Sequence, residues 1–334
     1  MEVRVLGGSS EQAHANRVRV FPEIALVIGG TGFIGTRAIR RLAARGEAVA
    51  VMDINPGAAS FDDLGKQVKV TRGDVTQFDD VMRAMIDSRP TRVINLSYFL
   101  GSEHAPHVAM KLNILGMDNC FEAARLCGVQ RVVYASSVAV SGLQKHYGER
   151  LVNEDDPRHG DNQYAMHKIF NEWQAQDYRD KYGLSLTGVR PANVTGPDKV
   201  RGSVDHVQCI TQPARGKPIT LPYKDYMRLP IHVDDIAEVF VRVLLADAPR
   251  YPVYNSGGTM ISLGELAEIV RGFLPEARIS FEHETGGRER SGNYLVDNSR
   301  LLQEFEVEYP PFRQRVLQII NDIRREEGLP LVTE

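Results

Sequence analysis

The sequence has few cysteines, and their number and spacing argue against a C-x-x-C motif and against a framework of disulfide bonds. Of 334 residues only 3 are cysteines, Cys120, Cys127 and Cys209. They form neither a C-x-x-C pair nor an even set that could close a framework of disulfide bonds. This usage is typical of a reducing compartment, and we expect the protein to be cytoplasmic.

The sequence also lacks an excess of charge of one sign. It has 40 Lys and Arg against 43 Asp and Glu, a formal net charge of −3. No cationic surplus is available for a nucleic acid or an anionic membrane surface. The longest apolar runs have the length of a strand, whereas a membrane span needs roughly 18 to 20 apolar residues. The 9 histidines form neither an H-x-H nor an H-E-x-x-H spacing. We therefore expect that the protein binds neither nucleic acid nor a membrane, and that it holds no metal ion.

What the chain does contain is an alternation of short β-branched runs with longer helical patterns between residues 24 and 190. Helices are predicted over 110–127 and 164–182. This order is typical of a parallel sheet with crossover helices, and it predicts a doubly wound α/β fold of the Rossmann type. Strands are predicted over 24–28, 48–52, 68–71, 93–96, 132–135 and 186–189.

After residue 190 the alternation stops, and repeated prolines exclude a long continuous helix up to residue 230. Ser262 and Glu265 form a capping box for a helix ending near residue 273, and 312–326 is predicted to be a closing helix. We expect a loose N-terminal extension over 1–22 with a short strand at 18–21, and no secretory signal there. We expect the rest of the chain to form two parts. One is a sheet domain over 23–190, to which 230–257 returns, and the other is a smaller C-terminal substrate-binding lobe over 191–229 and 258–334.

Three glycines directly follow the first predicted strand and precede a helix. In this G-x-x-G-x-x-G spacing Gly29 allows a tight turn, Gly32 lets a pyrophosphate approach the backbone, and Gly35 lets the helix lie close to the strand. Asp53 ends the next strand 24 residues after Gly29, close to the spacing of about 20 for a carboxylate that binds an adenosine ribose. Because this carboxylate repels a 2′-phosphate and is followed by Ile54 rather than an arginine, we predict NAD rather than NADP.

Two residues near this loop each have two interpretations. Arg37 lies just past the glycines, where it could contact a phosphate or be a solvated charge on a helix. Asp74 follows the third predicted strand, where it could contact the adenine or be a turn residue.

A tyrosine and a lysine suited to proton transfer stand four residues apart. Tyr164 and Lys168 therefore lie on one face of a helix. A free tyrosine, with a pKa near 10, is a poor base at neutral pH, and a neighbouring ammonium stabilises its phenolate. Ser137 follows the fifth predicted strand, at the sheet edge where a nicotinamide would lie, and its hydroxyl can bind a substrate oxygen. We predict hydride transfer at a secondary alcohol or ketone carbon, with these three residues as the catalytic set.

Together these motifs resemble those of the extended short-chain dehydrogenases/reductases, the NAD-dependent epimerase/dehydratase family. The resemblance covers nearly all of residues 24–300. Its marks include the glycine run at 29–35, Gly-Asp-Val at 73–75, Arg-Pro-Ala-Asn-Val-Thr-Gly-Pro at 190–197 and Ile-His-Val-Asp-Asp at 231–235. It implies NAD contacts from Gly29, Thr31, Gly32, Phe33, Ile34, Gly35, Asp53, Asp74, Val75, Leu96, Ser97, Tyr164 and Lys168.

The resemblance also implies roles for individual residues. Tyr164 would be the acid/base, Lys168 would bind the nicotinamide ribose, and Ser137 would orient the reacting oxygen. The helices of Asn113 and Tyr164 would pair with their mates in a homodimer through a four-helix contact. Asn113 is either a helix hydrogen-bonding residue or part of a proton path, and His167 is expected at the surface or the dimer contact.

The substrate side departs from the family in part. Arg228 and Arg288 match arginines that hold a nucleotide diphosphate in enzymes such as UDP-galactose 4-epimerase. The Asn-Leu-x-Pro and Phe-Gly-x-Gly segments that commonly cradle the nucleotide are missing between 202 and 228, however. The residues expected at the substrate are Tyr98, Ser137, Val138, Asn193, Arg228 and Arg288.

The loop after the fourth predicted strand also differs, because Tyr98, Phe99 and Leu100 form an apolar wall that is either core or the boundary of a small substrate. Val138 and Ala139 replace the Asp-Glu pair of the family's dehydratases, which disfavours dehydration. The leading hypothesis is an NAD-dependent oxidoreductase of a small-molecule substrate that exchanges its cofactor. The alternatives are a nucleotide-sugar epimerase that retains NAD and a catalytically silent NAD-binding scaffold.

Overall fold

A central parallel sheet organises the protein. The structure is a computed structural model that describes residues 23–100 and 104–333, so the strand expected at 18–21 lies outside the described residues. The strands are β1 (Ile24–Ile28), β2 (Ala48–Asp53), β3 (Val68–Arg72), β4 (Arg92–Asn95), β5 (Arg131–Ala135), β6 (Leu186–Arg190), β7 (Asn193–Thr195), β8 (Ile219–Tyr223), β9 (Met227–Arg228), β10 (Pro230–His232), β11 (Val253–Asn255), β12 (Ile261–Ser262) and β13 (Ile279–His283).

Helices cover the sheet and build the rest of the chain. Short 3-10 turns lie between them, including 138–141 and 288–290. The helices are α1 (Gly35–Ala44), α2 (Phe78–Ser88), α3 (Pro106–Met110), α4 (Gly116–Leu126), α5 (Gln163–Tyr182), α6 (Asp205–Ala214), α7 (Val233–Leu245), α8 (Leu263–Phe273), α9 (Ser299–Phe305) and α10 (Phe312–Glu326).

The sheet has the strand order β11-β6-β5-β4-β1-β2-β3, and all its pairings are parallel. The prediction of a doubly wound α/β fold is thus confirmed. The order reverses between β1 and β4, where Leu26 pairs with Ala50 on one side and Val93 on the other. At such a reversal the crossover helices diverge and leave a crevice at the carboxyl ends of the strands.

Apolar clusters fill both faces of the sheet, which explains why its strands are almost continuously hydrophobic. One cluster joins the sheet to α1, α7 and α9, with Ile39 and Phe240 fully buried. The other joins it to α2, α4 and α5, with Phe121 fully buried. Within the described residues, no helix is long and apolar enough to cross a membrane.

A third apolar cluster lies away from the sheet. It contains side chains of α6, α8 and α10, such as Ile210, Leu266 and Ile320, together with Leu221 of β8. The predicted capping box is confirmed, because the Ser262 hydroxyl accepts from the Glu265 backbone N–H and the Glu265 carboxylate accepts from the Ser262 N–H. The predicted closing helix has the bounds of α10.

The helix predicted over 110–127 differs from the one observed. It begins at Pro106 as α3, widens into a π-helical turn over Lys111–Leu115, and continues as α4. Within this wider turn the Asn171 side chain donates to the Asn113 carbonyl at 3.0 Å. A hydrophobic pattern marks where a helix is but does not report a local change in its winding.

Candidate active site

A cleft of about 1560 Å³ opens at the carboxyl ends of the strands. One wall consists of the glycine loop and the start of α1. The floor is the ends of β4 and β5, and the first turns of α5 close one side. Residues 226–228 and 292–294 face them from beyond the sheet. The volume exceeds the roughly 300–1,000 Å³ of a site for one drug-sized ligand, so a dinucleotide and a substrate can share it.

The glycine loop is built for an anion. Gly29 has a φ of +76°. A Cβ on Gly35 would lie only 2.6 Å from the Gly29 carbonyl oxygen, so the helix reaches the strand only with glycine there. The start of α1 has no side-chain cap and no acidic residue in its first turn. The positive end of the helix dipole therefore favours a pyrophosphate at this wall of the cleft.

Asp53 lies at the end of β2, behind the loop. Its carboxylate accepts from the Thr31 N–H at 3.1 Å and from the Asn55 N–H at 3.0 Å. A carboxylate has about four lone-pair positions, so both oxygens can still accept ribose hydroxyls. The residues present thus fit the adenosine and pyrophosphate parts of NAD.

Four residues expected at the cofactor are not among those that line the cleft: Asp53, described above, and Asp74, Val75 and Ser97. Asp74 accepts from the Thr76 backbone and hydroxyl at 2.9 and 2.8 Å, which is the turn interpretation. Val75 is buried against α4, where a Cβ on Gly116 would meet it at 2.8 Å. Ser97 donates to the Asn95 side chain at 2.7 Å. In the same loop after β4, the residues that do line the cleft are Leu96, Tyr98 and Leu100.

Arg37 lines the cleft but is neither a free solvated charge nor an open phosphate ligand. Its guanidinium makes a two-pronged contact with the Asp198 carboxylate at 2.7 and 2.8 Å. Asp198 belongs to the loop after β7, so this ion pair joins α1 to the opposite wall of the cleft. No sequence pattern indicates this pairing, because the two residues are 161 positions apart.

Tyr164 lies in the first turn of α5. The Asn162 side chain caps this helix by accepting from the Ala165 N–H at 3.0 Å. Burial raises the pKa of the Tyr164 phenol, and its hydrogen bond with the Ser137 hydroxyl opposes that rise. Ser137 starts the 3-10 turn after β5 and also accepts from the Ala139 N–H at 3.1 Å. The two residues that we predicted to share the reacting oxygen therefore line the same cleft.

Lys168 is buried one turn further along α5. Its ammonium donates to the Ala135 carbonyl at 2.6 Å and lies 3.1 Å from the centroid of the Tyr98 ring. It is 5.7 Å from the centroid of the Tyr164 ring, and Tyr98 meets Tyr164 edge to face at 5.5 Å. Burial lowers the pKa of Lys168 well below its ordinary value, while the Glu172 carboxylate opposes that effect. The cation thus lies between the strand end and the tyrosine that it is expected to activate.

Asn113 fixes the apolar wall. Its side chain accepts from the Phe99 N–H at 2.9 Å and donates to the Phe99 carbonyl at 3.1 Å. Tyr98 and Leu100, on either side of Phe99, line the cleft. His167 lies beside Asn113: its ring nitrogen is 3.3 Å from the Asn113 side chain, and the residue is half-buried. In a helix the third residue after Tyr164 remains close to the same face.

Of the two arginines expected at the substrate, Arg228 lines the cleft. The Asp205 carboxylate accepts hydrogen bonds from two nitrogens of the Arg228 guanidinium, Nη2 and Nε, the latter at 3.0 Å. The group also stacks over the Tyr226 ring, 4.0 Å from its centroid. Burial acts to raise the pKa of Asp205, but hydrogen bonds from His206 and Arg228 outweigh burial and hold that pKa below its usual range. The charge of Arg228 is therefore compensated inside the protein.

Arg288 does not line the cleft, and this part of the prediction is corrected. Its guanidinium is exposed and contacts the Tyr294 hydroxyl at 3.1 Å and the Glu149 carboxylate at 2.9 Å. Arg290, two residues later, faces the cleft instead. The two belong to a 3-10 turn, in which residues two apart point to different sides. Of the remaining expected substrate residues, Val138 and Asn193 line the cleft.

Several charged residues at or near the cleft were not predicted, and three of them bear on its chemistry. Arg290 is one, and Lys199 is another: its ammonium donates to the Val194 carbonyl at 2.8 Å. Burial lowers the pKa of Lys199 to about 8, although Asp205 opposes the shift. The third is Glu172, buried below Lys168. Its spacing of four residues after Lys168 could have indicated it, whereas no sequence pattern marks Lys199.

Comparison with known proteins agrees with this geometry. A sequence profile described as the NAD dependent epimerase/dehydratase family matches residues 25–257. A dTDP-4-dehydro-6-deoxy-D-allose reductase of a Streptomyces species is 28% identical over 315 residues, 86% of this chain and 92% of that protein.

Two solved structures share the fold. The UDP-glucose 4-epimerase of Thermus thermophilus, in complex with NAD, has a TM-score of 0.78 at 26% identity and covers 90% of this chain and 99% of its own. The L-threonine 3-dehydrogenase of Trypanosoma brucei has a TM-score of 0.81 at 21% identity and covers 93% and 99%. With NAD as its cofactor, the chain belongs to the NAD dependent epimerase/dehydratase family.

Proposed function

We propose that the protein is a dehydrogenase or reductase that interconverts a secondary alcohol and a ketone in a small substrate and exchanges NAD between turnovers. The observation that carries the proposal is that Tyr164, Ser137 and Lys168 all line the cleft, with the Lys168 ammonium 5.7 Å from the centroid of the Tyr164 ring. A catalytically silent NAD-binding scaffold has no need of this arrangement.

The three residues have separate roles in this proposal. Bound NAD supplies the hydride acceptor or donor. Tyr164 takes the proton from the substrate hydroxyl in oxidation and returns it in reduction, because its phenol lines the cleft together with Ser137. Ser137 holds the substrate oxygen at hydrogen-bond distance from the phenol. Lys168 places a positive charge beside the phenolate and so stabilises it.

The charges on the substrate side favour a small substrate over a nucleotide sugar. Arg228 is neutralised by Asp205, and Arg288 lies outside the cleft lining. A diphosphate needs charges that are free to converge on it. The apolar surface of Tyr98 and Leu100 also suits a compact and less polar molecule.

A nucleotide-sugar epimerase that retains NAD is the second candidate. Arg290 and Lys199 both line the cleft, and among the described residues no carboxylate forms an ion pair with Arg290. Two cations on this side could hold a phosphate group.

We also propose that the protein is a homodimer in which α5 and the α3–α4 segment pair with those of a second copy. Met166, Phe170 and Trp173 form an exposed apolar stripe along α5, and Trp173 is 63% exposed. Met110 and Leu115 extend the apolar surface onto the neighbouring segment. The spacing of four and three residues keeps the stripe on one helical face, and such a contiguous apolar surface is typical of an interface.

The division of the chain remains a proposal as well. We assign 23–190 and 230–257 to the NAD-binding domain and 191–229 and 258–334 to the substrate-binding lobe. The separate apolar cluster around α6, α8 and α10 supports this division. The free cysteines among the described residues suit the reducing cytoplasm, which we propose as the location.

Tyr164→Phe should reduce turnover at least about a hundredfold while NAD affinity changes little, because only the transferable proton is lost. Lys168→Met should weaken both turnover and NAD binding. NADH absorbance and NAD titration by tryptophan fluorescence measure the two effects. Tyr182→Phe, in the last turn of α5, is the matched control. Undiminished turnover in Tyr164→Phe would place the reacting oxygen elsewhere.

NAD should bind at least about tenfold more tightly than NADP, a difference of about 1.4 kcal/mol, because Asp53 repels a 2′-phosphate. Asp53→Asn removes the charge and should narrow the difference. Isothermal titration of both nucleotides measures it, with Asp79→Asn as an exposed control. Equal affinities of the unaltered protein for the two nucleotides would contradict the role of Asp53.

A thermal-shift panel with NAD present separates the two substrate classes, since a ligand that binds only the folded state raises its melting temperature. Small hydroxy acids, sugars and ketones should include a stabilising ligand, whereas UDP, dTDP and GDP should not. The epimerase would be favoured if a nucleoside diphosphate raised the Tm, and if Arg290→Ala removed the shift while Arg288→Ala kept it. Each charge-assisted bond of that kind contributes about 1.5–3 kcal/mol.

Trp173→Glu should convert the dimer into a monomer, because it puts a charge into the apolar stripe. Light scattering after gel filtration measures the mass directly. Lys145→Glu, an exposed change in a 3-10 turn away from α5, should leave the mass unchanged. A monomeric unaltered protein at micromolar concentration would refute the dimer.

A further inference from the structure

A buried carboxylate lies one helical turn below the catalytic lysine. Tyr164, Lys168 and Glu172 are spaced by four residues on α5, so they follow one another along one face of the helix. Both Lys168 and Glu172 are almost completely buried. The predicted chemistry uses the first two residues and gives none to the third.

Glu172 holds several groups at once. The Arg190 guanidinium, equally buried at the end of β6, donates to both carboxylate oxygens at 2.7 Å. Arg158 donates at 2.8 Å from the loop before α5, and the Ser136 hydroxyl donates at 2.6 Å. Ser136 directly precedes Ser137. One carboxylate therefore ties the catalytic helix to the ends of β5 and β6.

We propose that Glu172 is a positioning residue, which keeps the Lys168 ammonium charged at its place beside Tyr164 while it anchors the strand end that carries Ser137. The proposal rests on the proposed function for its purpose but not for its test. It follows from the balance of charge in the cluster. Glu172 is the carboxylate that contacts Arg158 and Arg190, and it also acts on Lys168.

The other groups around Lys168 cannot supply the same effect. Tyr98 and Tyr164 present ring faces, and the Ala135 carbonyl accepts one hydrogen bond. His167 adjoins Lys168 on α5, and the pKa of His167 is lowered by burial and by the Lys168 charge. Burial by itself drives the pKa of Lys168 down, and Glu172 counters it. Without that carboxylate the lysine would lose its proton more easily and could no longer stabilise a phenolate.

Two further titratable groups border the cluster. Glu154 acts electrostatically on Arg190 and accepts from the Asn255 N–H at 2.8 Å. The Tyr134 hydroxyl lies in the field of Glu172 and Arg190, and burial raises its pKa. Glu154 is thus a second buried carboxylate next to Arg190, and it provides a matched control.

The test is a titration of Lys168 in the free protein, which requires no substrate. Protein labelled with [ε-13C]lysine is titrated by NMR, and the Lys168 signal is assigned by its loss in Lys168→Met. Glu172→Gln should lower the pKa of Lys168 by about one unit or more. Arg158→Gln removes a cation from the same carboxylate and should shift the pKa upward. Glu154→Gln should leave it unchanged.

Opposite shifts in Glu172→Gln and Arg158→Gln support the proposal, since a purely structural defect has no reason to change sign with charge. An unchanged pKa in folded Glu172→Gln would overturn it, as would shifts of the same sign in both variants. If Glu172→Gln does not fold, Arg158→Gln decides, because its arginine is half-exposed and leaves the Glu172–Arg190 pair intact. The result is independent of Tyr164→Phe, so the proposed function and this inference can fail separately.

Discussion

The buried ion pair between Glu172 and Arg190 joins helix α5 to the end of strand β6, and the geometry of the catalytic cleft depends on this junction. Neither side chain is solvated, so each charge needs the other and the contact has one favourable arrangement. A buried pair of this kind contributes little net stability, because desolvation offsets the attraction. Its effect is to fix the position of the helix: the same carboxylate holds Ser136 of the adjacent strand end. Tyr164 and Ser137, which come from two separate elements, line the same cleft.

At both ends of the cleft, the position of a loop depends on hydrogen bonds to its backbone. The glycine loop brings the start of α1 against β1, and the Asp53 carboxylate holds that loop through the Thr31 N–H. At the other end the Asn113 carbonyl, in a π-helical turn, accepts from the Asn171 side chain, and the Asn113 side chain hydrogen-bonds the backbone of Phe99. Tyr98 is then held over the Lys168 ammonium. In the proposed function, binding of the cofactor and activation of the phenol both depend on loops that follow neighbouring strands of the sheet, β1 and β4.

The charges on the substrate side explain why membership in a family does not determine the substrate. Arg228 occupies the expected position, yet Asp205 neutralises it within the protein. Arg290 faces the cleft where Arg288 was expected. The pairing of Arg228 and the position of Arg290 decide which charges a substrate would meet. Neither of them affects the strand order or the helix that carries Tyr164 and Lys168. The family shares its hydride chemistry because that depends on the sheet edge, and substrate choice varies because it depends on side chains from the surrounding loops.

The sequence by itself determined the elements whose signals are local. Strand bounds agreed to within one residue at each end because β-branched runs end at turns, and the glycine spacing, the capping box and the Tyr164–Lys168 pair each lie within a few residues. Tertiary structure alone decided the contacts between distant segments: the pairing of Arg37 with Asp198, the neutralisation of Arg228 by Asp205, the outward direction of Arg288 and the burial of Glu172 against Arg190. A residue type and its spacing specify a local conformation. The partner of a charged side chain is set by which segments the folded chain brings together, and no local pattern encodes that.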